Sequence, residues 1–365
     1  MLLLVYVHGY NVGDRYLQPF TTLQEPINLN TFIQYFTANG IFRFRIPMLF
    51  AISGYLFSLG DSKDFAVRIQ KRIRTLLVPY ILWGMIALLL TWLMQLSAWG
   101  QWAITSAHLW GDTYTPIEQQ SLQQLFFRSV LFPVAFQLWF IRCLFVYNLL
   151  YPLLVVILQK TPKIWFGFIG LIWFSTMHFY FIEGEGLLFF TLGIWMQKNQ
   201  VSLEEPPTPM RLSIITPLWI ILLLGKTWLA FHGRSWIGPF ATDSILVLLH
   251  KLTIVLGLIV CWFGCDRMVH SAMKQRWFVW CSSFSFIIYA LHAPLINYLI
   301  EPSIVFFHDT TMAETLSFLL LPIFVGALCI GVGYCIRIIS PALFSLLTGN
   351  RGMEHIKTAS ESQRT

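Results

Sequence analysis

Two histidines have settings that suit acid–base chemistry. His8 closes the apolar run Met1-Leu-Leu-Leu-Val-Tyr-Val-His8, and His292 lies within Phe286-Ile-Ile-Tyr289-Ala-Leu-His292-Ala-Pro294. A neutral imidazole can take a proton from a hydroxyl near neutral pH, and does so best where water is scarce. Either histidine could be that base. For His292 there is also a structural reading. Pro294 has no N–H, so the carbonyl of Ala290 loses its helical donor, and an imidazole in this region can be held by a freed carbonyl. His178 and His250 have no comparable context and read as structural.

Cations form the second group. Arg43 and Arg45 stand at the mouth of the apolar segment Ile41–Phe57, and Pro47, Ser53 and Gly54 follow them into it. An arginine inside a membrane costs about 2.5 to 3.5 kcal/mol on insertion scales unless it faces protein or water, so a charged, proline-bearing span is a candidate site. The alternative is that both arginines snorkel to headgroups. Arg142, one turn after the belt-forming Leu138-Trp139-Phe140, also enters an apolar segment, as do Lys226, Lys251 and Arg337. Lys226 and Arg337 lie close enough to helix ends to snorkel. Every Asp and Glu falls in a loop or at a membrane edge, Glu183 and Glu185 coming nearest to a helix interior. Ion-coupled carriers place carboxylates at mid-membrane, whereas this pattern suits an anionic ligand such as a phosphate. The stretch Asp64–Pro79 packs Arg68, Lys71, Arg72 and Arg74 together. It reads either as a phosphate clamp for a cytosolic donor or as a topology determinant touching anionic lipid. Arg68 and Arg72, four apart, share one helical face.

The elements that must position these groups are membrane helices. The chain has 365 residues, 56% hydrophobic and only 11% charged, with a mean hydropathy of +0.66, which indicates a polytopic all-α membrane protein. Its formal charge of +7 is spread over short loops, which argues against a nucleic-acid partner. The six cysteines lie in or beside apolar segments without ligand spacing, and read as small buried hydrophobes rather than a disulfide framework or metal site. Apolar segments fall at about 40–60, 76–96, 138–158, 164–181, 186–197, 213–231, 245–264, 278–300 and 316–340. With the half-span at residues 1–8, which offers only about 12 Å of helix against a core of roughly 30 Å, the expectation is a bundle of about ten helices over residues 1–345. Residues 9–39 read as an extramembrane loop, Glu204–Pro209 as a linker, and 346–365 as a short disordered tail. One set of alternate loops holds fifteen Lys and Arg, among them Lys63 to Arg74, Lys160, Lys198, Arg267 and Arg351, whereas the other holds Arg15, Arg128 and Arg234. That asymmetry places both termini in the cytoplasm.

Four stretches together resemble the acyltransferase 3 family of bacterial inner-membrane acyltransferases. They are Val7-His8 at the end of the first helix, Arg45 to Phe57 in the second, the basic stretch ending Arg72-Ile-Arg74-Thr-Leu-Leu-Val-Pro79-Tyr80, and Leu138-Trp139-Phe140-Ile141. Tyr289-Ala-Leu-His292 resembles a further pattern of the family. The resemblance implies transfer of an acyl group, usually acetyl from acetyl-CoA, to a hydroxyl of a cell-surface glycan or its lipid-linked precursor. It also implies that His8 is the catalytic histidine and that Arg72 and Arg74 belong to the basic motif. The family carries an arginine eleven residues before that histidine, whereas seven residues precede His8 here. The expectation is that the first helix continues upstream of Met1 and carries it.

The reading that follows is a membrane O-acyltransferase of the bacterial inner membrane, with membrane lipid around it and acyl-CoA as co-substrate. The donor's phosphates would rest on Arg68, Arg72 and Arg74, and His8 would act as general base or form an acyl-histidine. Arg45 or Arg142 would stabilise negative charge, with Ser53, Trp139 and His292 lining the substrate site. The alternative is a carrier or flippase for an anionic glycan lipid, using the same cationic interior without bond chemistry.

Overall fold

A computed structural model describes residues 1–13, 16–107, 115–177, 179–204, 211–308 and 312–353, and His178 lies outside them. Helices account for nearly all the regular structure. They are α1 (Leu2–His8), α2 (Leu29–Gln34), α3 (Arg45–Ser58), α4 (Phe65–Arg72), α5 (Val78–Gln95), α6 (Ala98–Ser106), α7 (Leu122–Phe126), α8 (Trp139–Lys160) and α9 (Pro162–Phe174). The chain continues with α10 (Gly184–Lys198), α11 (Leu212–Ile237), α12 (Pro239–Gly264), α13 (Asp266–Met273), α14 (Arg276–Ser282), α15 (Ser285–Phe306), α16 (Ala313–Ile339) and α17 (Pro341–Thr348).

Among the described residues, six helical stretches are long and apolar enough to cross a membrane: Leu29–Ser58, Phe65–Gln95, Phe136–Lys160, Leu212–Ile237, Pro239–Gly264 and Ala313–Ile339. Helices α14 and α15, bent by 59° at their junction, make a seventh if counted as one span. The expected count of about ten included residues 1–8, 164–181 and 186–197. These form helices of 7, 13 and 15 residues, short of the twenty or so that a straight crossing takes.

Three boundaries differ from the sequence reading. Residues 29–39, expected in a loop, are helical and run through single π- and 3₁₀-turns into α3. Their start is set by a capping box, in which Asn28 accepts from the Thr31 amide at 2.9 Å and the Thr31 hydroxyl accepts from the Asn28 amide at 3.0 Å. That signal is polar, so a search for apolar runs passes over it. The basic stretch is likewise helical, with a π-turn at Ile73–Leu77 between α4 and α5. The C-terminal segment stays packed beyond residue 346: Leu347 and Thr348 are buried, and the Trp83 indole donates to the Leu347 carbonyl at 2.9 Å. Of the six cysteines, Cys143 and Cys329 are buried, and Cys335 is exposed on α16.

The described chain forms two compact units. One comprises Met1–Asn11, Lys71–Arg142 and Ala272–Thr365, and the other Val12–Gln70 and Cys143–Ser271. In the first, α1 rests on α15 and α16, where Tyr6 donates to the Leu319 carbonyl at 2.9 Å and Asn11 to the Glu314 carbonyl at 3.1 Å. These bonds hold a helix too short to be stable alone.

In the second unit, α3 and α10 meet backbone to backbone. A Cβ at Gly54 would sit 2.0 Å from the Phe190 carbonyl oxygen, and one at Gly193 would sit 2.0 Å from the Ala51 carbonyl oxygen. Glycine is therefore required on both partners, and Gly54 is explained by close helix approach rather than by ligand contact. Neither clash can be relieved by a rotamer change, because the obstructing atoms are backbone. Gly54→Val or Gly193→Val should remove the monodisperse species in size-exclusion chromatography. Gly225→Val, where a Cβ meets nothing within 4 Å, should leave it intact.

Candidate functional site

His8 and His292 come together in the first unit. Their ring centroids are 5.3 Å apart, and the His8 ring also makes an edge contact at 4.9 Å with Phe136. The two histidines differ in access, His8 being half-buried at the C-terminal end of α1 and His292 fully buried.

The histidine pair sits where α15 breaks. Ala293 has an extended backbone (φ −118°, ψ 137°), and Pro294 brings no donor, so carbonyls of the preceding turn lose their helical partners. Two side chains take over. The Gln137 amide donates to the Ala290 carbonyl at 2.9 Å and the Ala293 carbonyl at 2.8 Å, with Tyr289 O at 3.4 Å. The Tyr289 hydroxyl returns a bond to the Gln137 carbonyl at 2.6 Å. His292 Nδ1 lies 2.9 Å from the Ile288 carbonyl and 2.8 Å from the Tyr289 carbonyl. Carbonyl oxygens only accept, so Nδ1 carries the proton, and the neutral ring has its lone pair on Nε2. His292 is thus held by the carbonyls of Ile288 and Tyr289, while the Ala290 carbonyl freed by Pro294 is taken by Gln137, and these bonds fix the tautomer of the imidazole beside His8.

Gln137 was not singled out from sequence, although it is a fully buried amide in the apolar run Phe132–Phe140, and such a group must find partners. The helix N-terminus that follows it carries Trp139, half-buried against Phe140, and Arg142, whose guanidinium donates to the Leu131 carbonyl at 3.0 Å. Arg72 is half-buried and Arg74 exposed, both in this same unit. Near Arg72 lies Arg351, missed as a site residue because its loop reads as tail. Arg351 donates to the Thr75 carbonyl at 2.9 Å and stacks 4.6 Å over the Phe286 ring. Burial, and then the charge of Arg72, push its guanidinium down to about 10. Phe286, Tyr289 and His292 follow at intervals of three on α15, so one helical face leads from Arg351 toward the histidines.

The other predicted residues belong to the second unit. Arg45 donates to the Phe42 carbonyl at 2.6 Å, and Ser53 is half-buried on α3. Arg68 is held by its surroundings: it donates to Asp61 at 2.7 Å and to the Phe57 carbonyl at 2.5 Å, and stacks on Phe57 and Tyr151. Asp61 also accepts from Tyr151 at 2.7 Å and from Lys198. Arg68 and Arg72 do share one face of α4, four residues apart, and Arg68 is the one tied to Asp61 and Phe57.

Comparisons with known proteins show the family. A family model described as an acyltransferase domain, acyltransferase 3, matches residues 1–338. The chain belongs to that acyltransferase family. Among curated proteins it is 23% identical over 327 residues, 87% of this chain and 82% of the relative, to the succinoglycan biosynthesis protein ExoH of Rhizobium meliloti (strain 1021). No solved structure matches. Family membership makes the protein an O-acyltransferase, and its apolar helices make it a multi-pass membrane protein. That decides between enzyme and carrier in favour of the enzyme.

The ion cluster of this acyltransferase around Asp61 carries a pH dependence. Burial raises the carboxyl, but the hydrogen bonds from Lys198 and Tyr151 and the charges of Lys198 and Arg68 outweigh it, leaving Asp61 below its ordinary value of 3.8. A group with a depressed folded value adds stability that is complete above the unfolded value and is lost as pH falls through the folded one. Thermal melts in detergent should therefore show wild type losing stability relative to Asp61→Asn as pH is lowered through about 4 and below. Equal slopes for the two would mean that the cluster carries no linked proton.

Proposed function

We propose that the protein transfers an acyl group, acetyl in the simplest case, from acyl-CoA to a hydroxyl of a cell-surface polysaccharide or its lipid-linked precursor. It would do so in the bacterial inner membrane with both termini in the cytoplasm. The observation that carries this reading is the His8–His292 pair, in which a half-buried imidazole ends a short helix beside a fully buried one of fixed tautomer. Support for a polysaccharide acceptor comes from the similarity to the succinoglycan biosynthesis protein ExoH, and support for the orientation from the fifteen-to-three loop asymmetry.

In the direct mechanism, neutral His8 takes the proton of the acceptor hydroxyl as its oxygen attacks the thioester carbonyl. The tetrahedral intermediate collapses with cleavage of the C–S bond, the ester forms, and the imidazolium returns the proton to the departing CoA thiolate. Arg142, in the same unit, is the nearest predicted cation on the chain segment that carries Gln137, and would stabilise negative charge on the intermediate. The donor's phosphates would rest on Arg72 and Arg74, with Arg351 adding charge. Arg68 contributes less to such a clamp, because Asp61 already neutralises it. A covalent acyl-histidine route uses the same groups in two steps.

Purified protein should release CoA thiol from acetyl-CoA in the presence of acceptor. His8→Ala should lower that rate roughly 10²- to 10⁴-fold at normal yield of folded protein. Arg72→Ala combined with Arg74→Ala should instead raise KM for acetyl-CoA, by about tenfold or more, since charge-assisted contacts contribute about 1.5 to 3 kcal/mol each. Full activity in His8→Ala would overturn the assignment. Mass spectrometry of the surface polysaccharide from a deletion strain should show the loss of one acyl unit per acceptor.

A further inference from the structure

The second unit holds a cluster of buried cations that the transfer mechanism does not use. Lys226 on α11 is fully buried, against the expectation that it snorkels. Its ammonium donates to the Asn39 carbonyl, lies 2.9 Å from His250 Nδ1 and faces the Tyr35 ring at 5.7 Å. Arg43 shares the same asparagine, donating to its side-chain oxygen at 3.0 Å and to the Leu17 carbonyl at 2.5 Å. Lys251 is buried beside His250, with Trp173 at 4.8 Å. Arg45 bonds only the Phe42 carbonyl, and its buried Nε has no partner, so it keeps donors to spare.

Among the described residues, none of these four cations has a carboxylate oxygen within ion-pair distance. Glu185 lies within electrostatic reach of Arg43, Arg45 and Lys251, and Glu183 within reach of Lys251. Both carboxylates have other bonds. Glu183 caps α10, accepting from the Gly186 amide at 2.6 Å, and Glu185 accepts from the Trp173 indole at 2.9 Å. Arg43, Arg45 and Lys251 against these two carboxylates leave an excess of positive charge in a segment where each buried charge costs several kcal/mol unless compensated. Surrounding buried cations with neutral acceptors and withholding direct ion pairs keeps charge for an incoming oxyanion.

We infer that Arg43, Arg45, Lys226 and Lys251 form an anion site for a phosphate-type dianion, such as the diphosphate of a prenyl-linked saccharide. Arg45 makes the direct contact, Arg43 and Lys251 supply the field behind it, and Lys226 holds the Asn39 on which Arg43 rests. The site lies at the end of α3 opposite Ser58, and so away from the Asp61–Arg68 cluster at the other end. This rests on the lipid-linked acceptor of the proposed function and assigns the acceptor's headgroup to a place of its own.

The test is ligand-linked thermal stabilisation of the full chain in neutral detergent at constant ionic strength, with inorganic pyrophosphate, farnesyl diphosphate and CoA as separate probes. Wild type should show a saturable rise in Tm with farnesyl diphosphate. Arg45→Gln and Lys251→Met should each weaken its apparent Kd about tenfold or more. A weaker response to pyrophosphate alone would assign the site to a lipid headgroup, and an equal response to a free phosphate species; both support the anion site. The CoA response should be insensitive to Arg45→Gln and should be lost with Arg72→Ala and Arg74→Ala. Absence of a saturable diphosphate shift, or its persistence in both Arg45→Gln and Lys251→Met, would overturn the inference. So would loss of the diphosphate shift on mutating Arg72 and Arg74, since the diphosphate would then be reading the donor site; the donor assignment would survive. Lys226→Met removes the tie to Asn39 without touching the ligand and should weaken diphosphate binding.

Discussion

Carbonyl groups buried inside a membrane protein cannot be left to water, and the break in α15 exposes several at once. Each would cost about 1 to 3 kcal/mol if left without a donor, and more where no water can reach. Gln137 supplies donors to the Ala290 and Ala293 carbonyls, and His292 to those of Ile288 and Tyr289. The consequence extends beyond stability. A histidine used as a donor through Nδ1 cannot also flip its ring without leaving carbonyls unpaired, so the break locks the imidazole that faces His8. A requirement of backbone hydrogen bonding thereby fixes the protonation pattern of the site.

The two compact units solve different problems. The first gathers the imidazoles and the arginines at Arg72 and Arg351, joined along one face of α15. The second is built on the close approach of α3 and α10 through Gly54 and Gly193, which sets the positions of the arginines at one end of α3 and of the Asp61 cluster at the other. At that cluster Arg68 and Lys198 share the Asp61 carboxylate; around Asn39, among the described residues, neither Arg43 nor Lys226 has one within ion-pair distance. The same residue types therefore serve as structural ties at one end of α3 and as held charge at the other.

Much of this was legible in the sequence, and the parts that were not share a cause. Apolar length gave the all-α class and most of the long spans, because hydropathy reports membrane burial directly. The proline rule located the break and the Ala290 carbonyl, and the resemblance brought His8 and His292 into one hypothesis. Polar interactions between distant segments were invisible. Nothing local to Gln137 says that it reaches Ala293, and nothing local to Lys226 says that Asn39 and His250 enclose it. The capping box at Asn28 was readable but lay outside the apolar pattern used to draw boundaries. Arg68 and Arg72 were placed together by helical periodicity, which says nothing of the tertiary partners that Arg68 finds in Phe57, Asp61 and Tyr151.

The distribution of carboxylates offers a further constraint on the chemistry. A general base of imidazole type works with a pKa near neutrality, and a carboxylate bonded to it would raise that value and hold the ring as imidazolium. The acceptors facing His292 Nδ1 are carbonyls, and the His8 ring lies against an aromatic edge and the second imidazole. Carbonyl partners orient an imidazole without adding a full negative charge beside it. In the proposed reaction, arginines and lysines elsewhere on the chain would bind the anionic substrates, so the groups that bind charge and the groups that move protons would not compete for the same field.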